Sequence, residues 1–281
     1  MSSETLAPGV HRLPLPSDTL PPFDHTNSYL VENRGVGVLV DAGSKEGEAL
    51  GVLEHLFQAK NVTLFKALLL THTHPDHCAG AKAVQDHFDV PIYVHPLERT
   101  RFEEKYEPTG EVVALQDERV LTVGDKEVRA LHTPGHSPGH LSFYLPDTRT
   151  LLAGDVVANR GSTWVGLPEG DVADYLATLE RLQNLDADLI GPGHGEVISN
   201  PRERLSESKT HRLEREQQVS DVLGEERLGL HTLRERIYPN VPERMDKLVE
   251  GSILAHLKKL MAEMRVVHLG EDEAGPYAVR R

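Results

Sequence analysis

Only one of the 281 residues is cysteine, Cys78, so no disulfide can form within the chain and its stability must come from packing and from any bound group. No apolar run reaches the roughly 18 residues that a membrane span needs. The stretch from Met1 to Leu20 has neither a basic start nor an apolar core followed by a cleavage site, so the expectation is a cytoplasmic protein with no membrane partner. Positive charge is also short: 30 basic against 44 acidic residues leave a formal net charge of -14. That balance argues against an acidic partner such as nucleic acid, whose phosphates usually meet basic patches. With 38% hydrophobic and 26% charged residues, disorder is excluded as well. The length suits one large domain, or a core of about 200 residues with a small appendage.

Short β-branched stretches bounded by turn residues predict strands at Gly9–Leu15, Asn27–Glu32 and Val36–Asp41. Helical spacing of Leu50, Leu53, Leu56 and Phe57 predicts a helix over Ser44–Lys60, leading into a buried strand at Leu64–Leu70. Pro75 sits where a helix can begin, Ala79–Phe88 continues in good helix formers, and Pro91–Val94 gives the next strand. Further strands are expected at Arg119–Val123, Glu127–Leu131, Leu141–Leu145, Thr150–Ala153 and Asp188–Ile190, with helices at Asp171–Leu185 and Pro201–Leu223. A boundary near Gly224 separates a catalytic domain, residues 1–223, from a tail, residues 224–281. The tail reads as a helix at Thr232–Tyr238, a longer helix at Glu243–Met264 with Ile253, Leu257, Leu260 and Met264 on one face, and a hairpin of Val266–Leu269 and Tyr277–Val279. Helix, turn, helix and hairpin is a winged-helix pattern.

Thr71–Gly80 reads THTHPDHCAG directly after the apolar strand, so three histidines and an aspartate emerge together at a strand's C-terminal edge. His72 and His74 are two apart and point the same way in an extended segment, so they can share one ion. Asp76 and His77 follow where the chain turns, and can serve a second. Three later Gly-containing turns, TPGH, AGD and GPGHG, supply His136, Asp155 and His194, each after a predicted strand. Imidazole and carboxylate donors suit divalent Zn or Mn, and two such ions would return positive charge where a phosphate or carbonyl oxygen must sit. His140 is a candidate supporting or substrate contact, Cys78 a small buried hydrophobe, and Thr26 with Asn27 a structural strand opening.

From about residue 8 to about residue 200 these motifs resemble the metallo-β-lactamase superfamily. The resemblance implies an α/β fold, the αββα sandwich, with a small C-terminal winged-helix-like domain. It implies that His72, His74 and His136 hold one ion, that Asp76, His77 and His194 hold the other, and that Asp155 bridges them. True β-lactamases commonly carry cysteine where Asp155 stands, which makes antibiotic hydrolysis the lesser use of the fold here. Two ions about 3.5 to 4 Å apart can hold a bridging water and supply hydroxide near neutral pH, with Asp76 as the catalytic carboxylate that orients the water and accepts its proton.

HRLEREQQV, TLRERIYPNVPE and ILAHLKKLMAEMRV, at 211–219, 232–243 and 253–266, further resemble the β-lactamase-like protein 2 family, as does GPGHGEVISNP at 191–201. Its members are metal-dependent endoribonucleases, so the resemblance implies cleavage of single-stranded RNA, with single-stranded DNA as a further substrate. The alternative is a thioesterase resembling hydroxyacylglutathione hydrolases, which share HTHPDH, TPGH and the bridging aspartate. An acidic surface is no obstacle to that reading, whereas a winged helix in place of a glutathione-binding extension is. A third reading gives the tail the function, as a binder of DNA or protein, but residues 212–281 carry 12 basic and 13 acidic residues, a poor major-groove reader. The tail is expected to pack against the catalytic rim or to mediate a homodimer.

Overall fold

A computed structural model describes residues 3–43 and 48–280. The chain divides into two compact units: one holds the residues up to Thr133 with Gly139–Gly161 and Leu185–Arg204, the other Pro134–Pro138, Ser162–Asn184 and the chain from Leu205 onward. In the first unit a seven-stranded sheet runs in chain order. Strands β1 (Glu4–Ala7), β2 (Val10–Pro16), β3 (His25–Asn33) and β4 (Val36–Val40) form an antiparallel meander. Helix α1 (Glu48–Ala59) then crosses to β5 (Leu64–Leu69), which pairs parallel to β4. After β5 come α2 (Pro75–Cys78), α3 (Ala81–Phe88), β6 (Ile92–Val94), α4 (Pro96–Tyr106) and β7 (Val112–Ala114), with β6 and β7 extending the parallel half.

A second sheet, ordered β12-β11-β10-β9-β8, comprises β8 (Val120–Val123), β9 (Lys126–His132), β10 (Leu141–Leu145), β11 (Thr150–Gly154) and β12 (Leu189–Pro192). Alternate residues of the two sheets share one core: Tyr29, Val31, Val38, Val40 and Leu69 meet Val128, Ala130, Leu141, Phe143 and Leu152. The other face of the first sheet, through Leu30, Leu39, Leu68 and Leu70, buries Leu53, Phe57, Val84 and Phe102 of α1, α3 and α4. The central strands of the first sheet are therefore apolar on both faces, the reason residues 67–70 read as a continuous run rather than an alternation. Because β4 and β5 run parallel, their C-terminal ends share one edge of the sheet, and Asp41 and Thr71 leave from it.

In the second unit α5 (Val172–Gln183) is capped by Asp171, whose carboxylate accepts from the Ala173 and Asp174 amides. Helix α6 (Pro201–Leu223) leads to α7 (Leu230–Ile237), a 3₁₀ turn at Glu243–Met245, α8 (Asp246–Ala262), and the hairpin β13 (Val266–His268) and β14 (Tyr277–Val279). Leu223, Leu233, Ile237, Ile253, Leu257, Leu260, Val266 and Tyr277 form their shared core. The fold is thus the αββα sandwich with a C-terminal winged-helix-like domain.

Two sequence expectations need correction, and one helix is absent from them. The helix over Pro75–Phe88 is two helices, because the chain bends at Gly80, whose amide donates to the Gly43 carbonyl. Met264 does not join the buried face of α8: the helix ends at Ala262, Met264 adopts a positive φ and 66% of it is exposed. Helix α4 escapes the periodicity because its buried residues are only Glu98 and Phe102. The expected helix start at residues 44–47 lies outside the described residues, as does Arg281.

His256 of α8 is fully buried, and neither ring nitrogen has a hydrogen-bond partner among the described residues. Burial first, then the charges of Arg212, Arg215 and Lys259, push its imidazole down to about 3. A histidine kept neutral in the fold but titrating near 6.5 when unfolded leaves stability intact above about pH 6.5 and drains it as the pH falls towards 3. The slope is at most about 1.4 kcal/mol per pH unit for one proton. His256→Gln should therefore flatten the fall in thermal stability between pH 6.5 and 4.5; an equally steep fall in the variant would assign the acid sensitivity elsewhere.

Candidate metal centre

The apolar β5 delivers Thr71 and His72 at its C-terminal end, and the Pro75 turn into α2 follows at once. Within the first unit two groups of ligand atoms converge, those of His72, His77 and Asp155 and those of Asp76, His77 and His194, each set lying within 4.8 Å of one another. His77 Nε2 is 3.3 Å from Asp155 Oδ1 and 3.2 Å from His194 Nε2. His194 Nε2 lies 3.4 Å from Asp155 Oδ1 and 3.3 Å from Asp76 Oδ2. The His72 ring centroid is 4.6 Å from that of His74 and 4.3 Å from that of His77. His136 belongs to the second unit, on the Pro134–Pro138 turn, where its Nδ1 donates to the Trp164 carbonyl at 2.7 Å.

The histidines spend Nδ1 away from this convergence. His77 Nδ1 donates to Asp41 Oδ2 at 2.8 Å, and His194 Nδ1 to the His25 carbonyl at 2.8 Å. An acceptor at Nδ1 fixes the proton there and leaves the lone pair on Nε2, the arrangement by which proteins present imidazole to a metal. The donor set therefore fits divalent cations. The backbone makes room for it: a Cβ on Gly193 would lie 2.3 Å from Asp155 Oδ1 and 2.8 Å from His77 Cε1, so only glycine can pass this close.

Electrostatics point the same way. Burial would lower the His77 imidazole, but the charges of Asp155, Asp41 and Asp76 outweigh it and raise it well above the ordinary range. His194 is likewise opposed by burial, yet Asp155 and Asp76 raise it to about 10. Burial tends to raise Asp155, and the cationic forms of His194 and His77 drive it well below the usual carboxylate range. Asp76, against the same penalty, is held low by His77 and His194. The cluster is a buried anionic field that stabilises positive charge, which protons or metal ions can supply.

Three supporting residues were not among the sequence candidates or were undervalued there. Asp41, at the end of β4, accepts from the Thr71 amide and hydroxyl, each at 2.8 Å, as well as from His77. An acidic residue closing an apolar strand, VDAG, is the signal that marks it. His140 is fully buried: its Nε2 accepts from the Asp155 amide at 3.0 Å, so its proton is on Nδ1 and faces Thr133 Oγ1 at 2.8 Å. Glu98 joins two loops by accepting from Thr73 Oγ1 at 2.5 Å and from the Gly139 amide at 3.1 Å, and nothing in its local sequence announces this. Cys78 and Asn27 are buried as expected, Asn27 donating to the Pro192 and Gly195 carbonyls. Lys258 pairs with Asp171, and Lys259 with Glu216 and Glu263.

With this geometry, the chain matches the Metallo-beta-lactamase superfamily over residues 21–194 and the beta-lactamase associated winged helix domain over residues 231–274. It belongs to the metallo-β-lactamase superfamily and is a metal-dependent hydrolase. Among its relatives, a β-lactamase-like protein 2 homolog of Caenorhabditis elegans is 27% identical over 84% of this chain and 78% of that protein. An atrochrysone carboxyl ACP thioesterase of Aspergillus chevalieri is 30% identical over 86% of this chain and 77% of that one. The crystal structure of a metallo-β-lactamase family protein from Thermus thermophilus superposes with a TM-score of 0.82 at 29% identity, covering 98% of this chain and 100% of that one. No helix among the described residues is long and apolar enough to cross a membrane.

Asp41→Asn should weaken metal binding about 10- to 100-fold, because it removes the carboxylate that orients His77. Chelator competition on the folded variant measures this, and wild-type affinity would mean that Asp41 serves the fold alone.

Proposed function

We propose that the chain is a dinuclear metal-dependent thioesterase that hydrolyses acyl thioesters. In this reading His72, His74 and His136 would hold one ion, Asp76, His77 and His194 would hold the other, and Asp155 would serve both. The observation that carries it is the match to relatives named as ACP thioesterases, at 27–30% identity over 86% of this chain, which reaches well beyond residues 21–194. The C-terminal part, which from sequence alone counted against a thioesterase, is thus no obstacle. A net charge of -14 is no hindrance to a thioester and does hinder a polyanion.

Zinc or manganese ions, when bound, supply Lewis acidity and activate water. The chain's own groups do the rest. Asp76, held ionised by its histidine neighbours, is placed to orient the attacking group by accepting its hydrogen bond. His140 fixes the Asp155 backbone through its amide, and Asp41 and Glu98 hold the loop from Thr71 to Thr73. Catalysis is then chiefly electrostatic, from donors fixed before substrate arrives.

A second reading, cleavage of single-stranded RNA, is favoured by the β-lactamase-like protein 2 resemblance and by one feature of the site. Phe23 stacks on His194 with ring centroids 5.7 Å apart, and the Arg160 guanidinium lies 5.7 Å from the Phe23 ring centre. A partly exposed ring beside a cation can stack a base and meet a phosphate, although it can equally cover an acyl chain.

The two readings separate when metal-stripped protein, restored with zinc or manganese, is given an acyl thioester and a labelled single-stranded RNA in parallel. Thiol release with intact RNA, abolished in Asp155→Ala, is the expected result. Internal RNA cleavage lost in the same variant, without thiol release, would put the nuclease in its place.

A further inference from the structure

The turn carrying His136 is fastened within the second unit. The Asp171 amide donates to the Gly135 carbonyl at 2.9 Å and Thr178 Oγ1 to the Pro134 carbonyl at 2.8 Å. The His136 ring is oriented by the Trp164 carbonyl, which accepts from Nδ1 and so leaves the lone pair on Nε2, the form a metal ligand needs.

Trp164 is itself held by the C-terminal helices. Its indole N–H donates to the Leu248 carbonyl of α8 at 2.9 Å, and the Leu167 amide donates to the Gly251 carbonyl at 3.0 Å. On the preceding side Arg212 of α6 donates to the Thr163 carbonyl and, at 2.9 Å, to Ser162 Oγ. Packing is tight at the same place: a Cβ on Gly166 would lie 2.6 Å from the Trp164 ring, and one on Gly251 would lie 2.9 Å from the Leu167 carbonyl oxygen. The segment 162–167 therefore has little freedom of its own, and its position follows α8.

We propose that α8 of the winged-helix segment positions the metal ligand His136 through Trp164. Trp164 is a positioning residue: it touches neither substrate nor ion but sets the orientation and tautomer of a side chain that does. The inference rests on the reading of His136 as a ligand given under the proposed function. It makes the C-terminal segment a determinant of metal affinity. Trp164 is also the only tryptophan, and its ring centroid lies 6.4 Å from that of His136, edge to face, so its emission reports directly on an ion arriving at His136.

The test uses the full chain without substrate. Metal-free protein is titrated with zinc while tryptophan emission is followed, and chelator competition gives the stoichiometry and the two dissociation constants. Trp164→Phe keeps an aromatic ring but loses the donor to Leu248 and, with it, the only tryptophan, so this variant is read by chelator competition alone. Gly251→Ala favours α8 as a helix yet drives a methyl group against the Leu167 carbonyl, and it carries the test if the first variant fails to fold. Wild-type protein should bind two ions, one of which changes the emission, and His136→Ala should lose that change. Trp164→Phe and Gly251→Ala should each weaken one ion about 10-fold and leave the other as it was. Unchanged affinity for both ions, or equal loss of both, would overturn the positioning role and leave the hydrolase reading standing. A wild-type protein that binds no zinc would overturn both.

Discussion

The constraint on which the rest of the first unit depends is electrostatic. Asp41, Asp76 and Asp155 are gathered with His72, His77 and His194 in a place from which water is largely removed, and carboxylates so close are tolerable only beside positive charge. The fold meets that constraint twice. It directs Nε2 of His77 and His194 inward by occupying each Nδ1 with an acceptor, and it clears backbone from the centre at Gly193. Parallel pairing of β4 with β5 makes this possible, since it brings Asp41 and Thr71 to one sheet edge, where a single carboxylate can brace both a loop and a ligand.

What was legible in the sequence follows from how local each determinant is. HTHPDH is one short local motif, and the later turns each carry glycine after an apolar strand, so the candidate ligand residues stand out without tertiary information. Strands β2 to β6 and helix α5 were readable because their apolar residues are periodic or continuous, whereas α6 shows itself only as a long polar run. Helix α4 was not, because a helix that buries only Glu98 and Phe102 has no apolar stripe to detect. Glu98 was invisible for a related reason: its two hydrogen bonds reach Thr73 and Gly139, far apart in sequence, and only the folded chain brings them together. His140 stood between two readings in the sequence, and its burial against the Asp155 amide makes it a support of that loop.

The two compact units also draw on segments that are far apart in the chain. His136 sits between β9 and β10, which belong to the second sheet, yet the turn itself groups with the segments that form the helical unit. A motif such as TPGH names the residue that can bind an ion. It says nothing about which part of the chain holds that residue still, and orientation decides affinity as much as identity does.

The same distinction bears on substrate. The ligand set is indifferent to whether the electrophile is carbon or phosphorus, because a fixed cation stabilises developing oxyanion charge in either case. Discrimination must come from groups beside the ions. Phe23 stacked on His194, with the Arg160 guanidinium 5.7 Å from its ring centre, is one such group in the first unit: an apolar plate and a single cation. A polyanion needs several cations along its path to repay its lost counterions, and this chain spends many of its arginines and lysines on its own carboxylates: Arg12 on Glu4, Lys126 on Asp147, Arg149 on Asp186, and Arg265 on Glu216. A thioester asks for one polarised carbonyl and an apolar wall for the acyl chain. That smaller demand on free cations is the physical ground on which we propose a thioester rather than a polyanion.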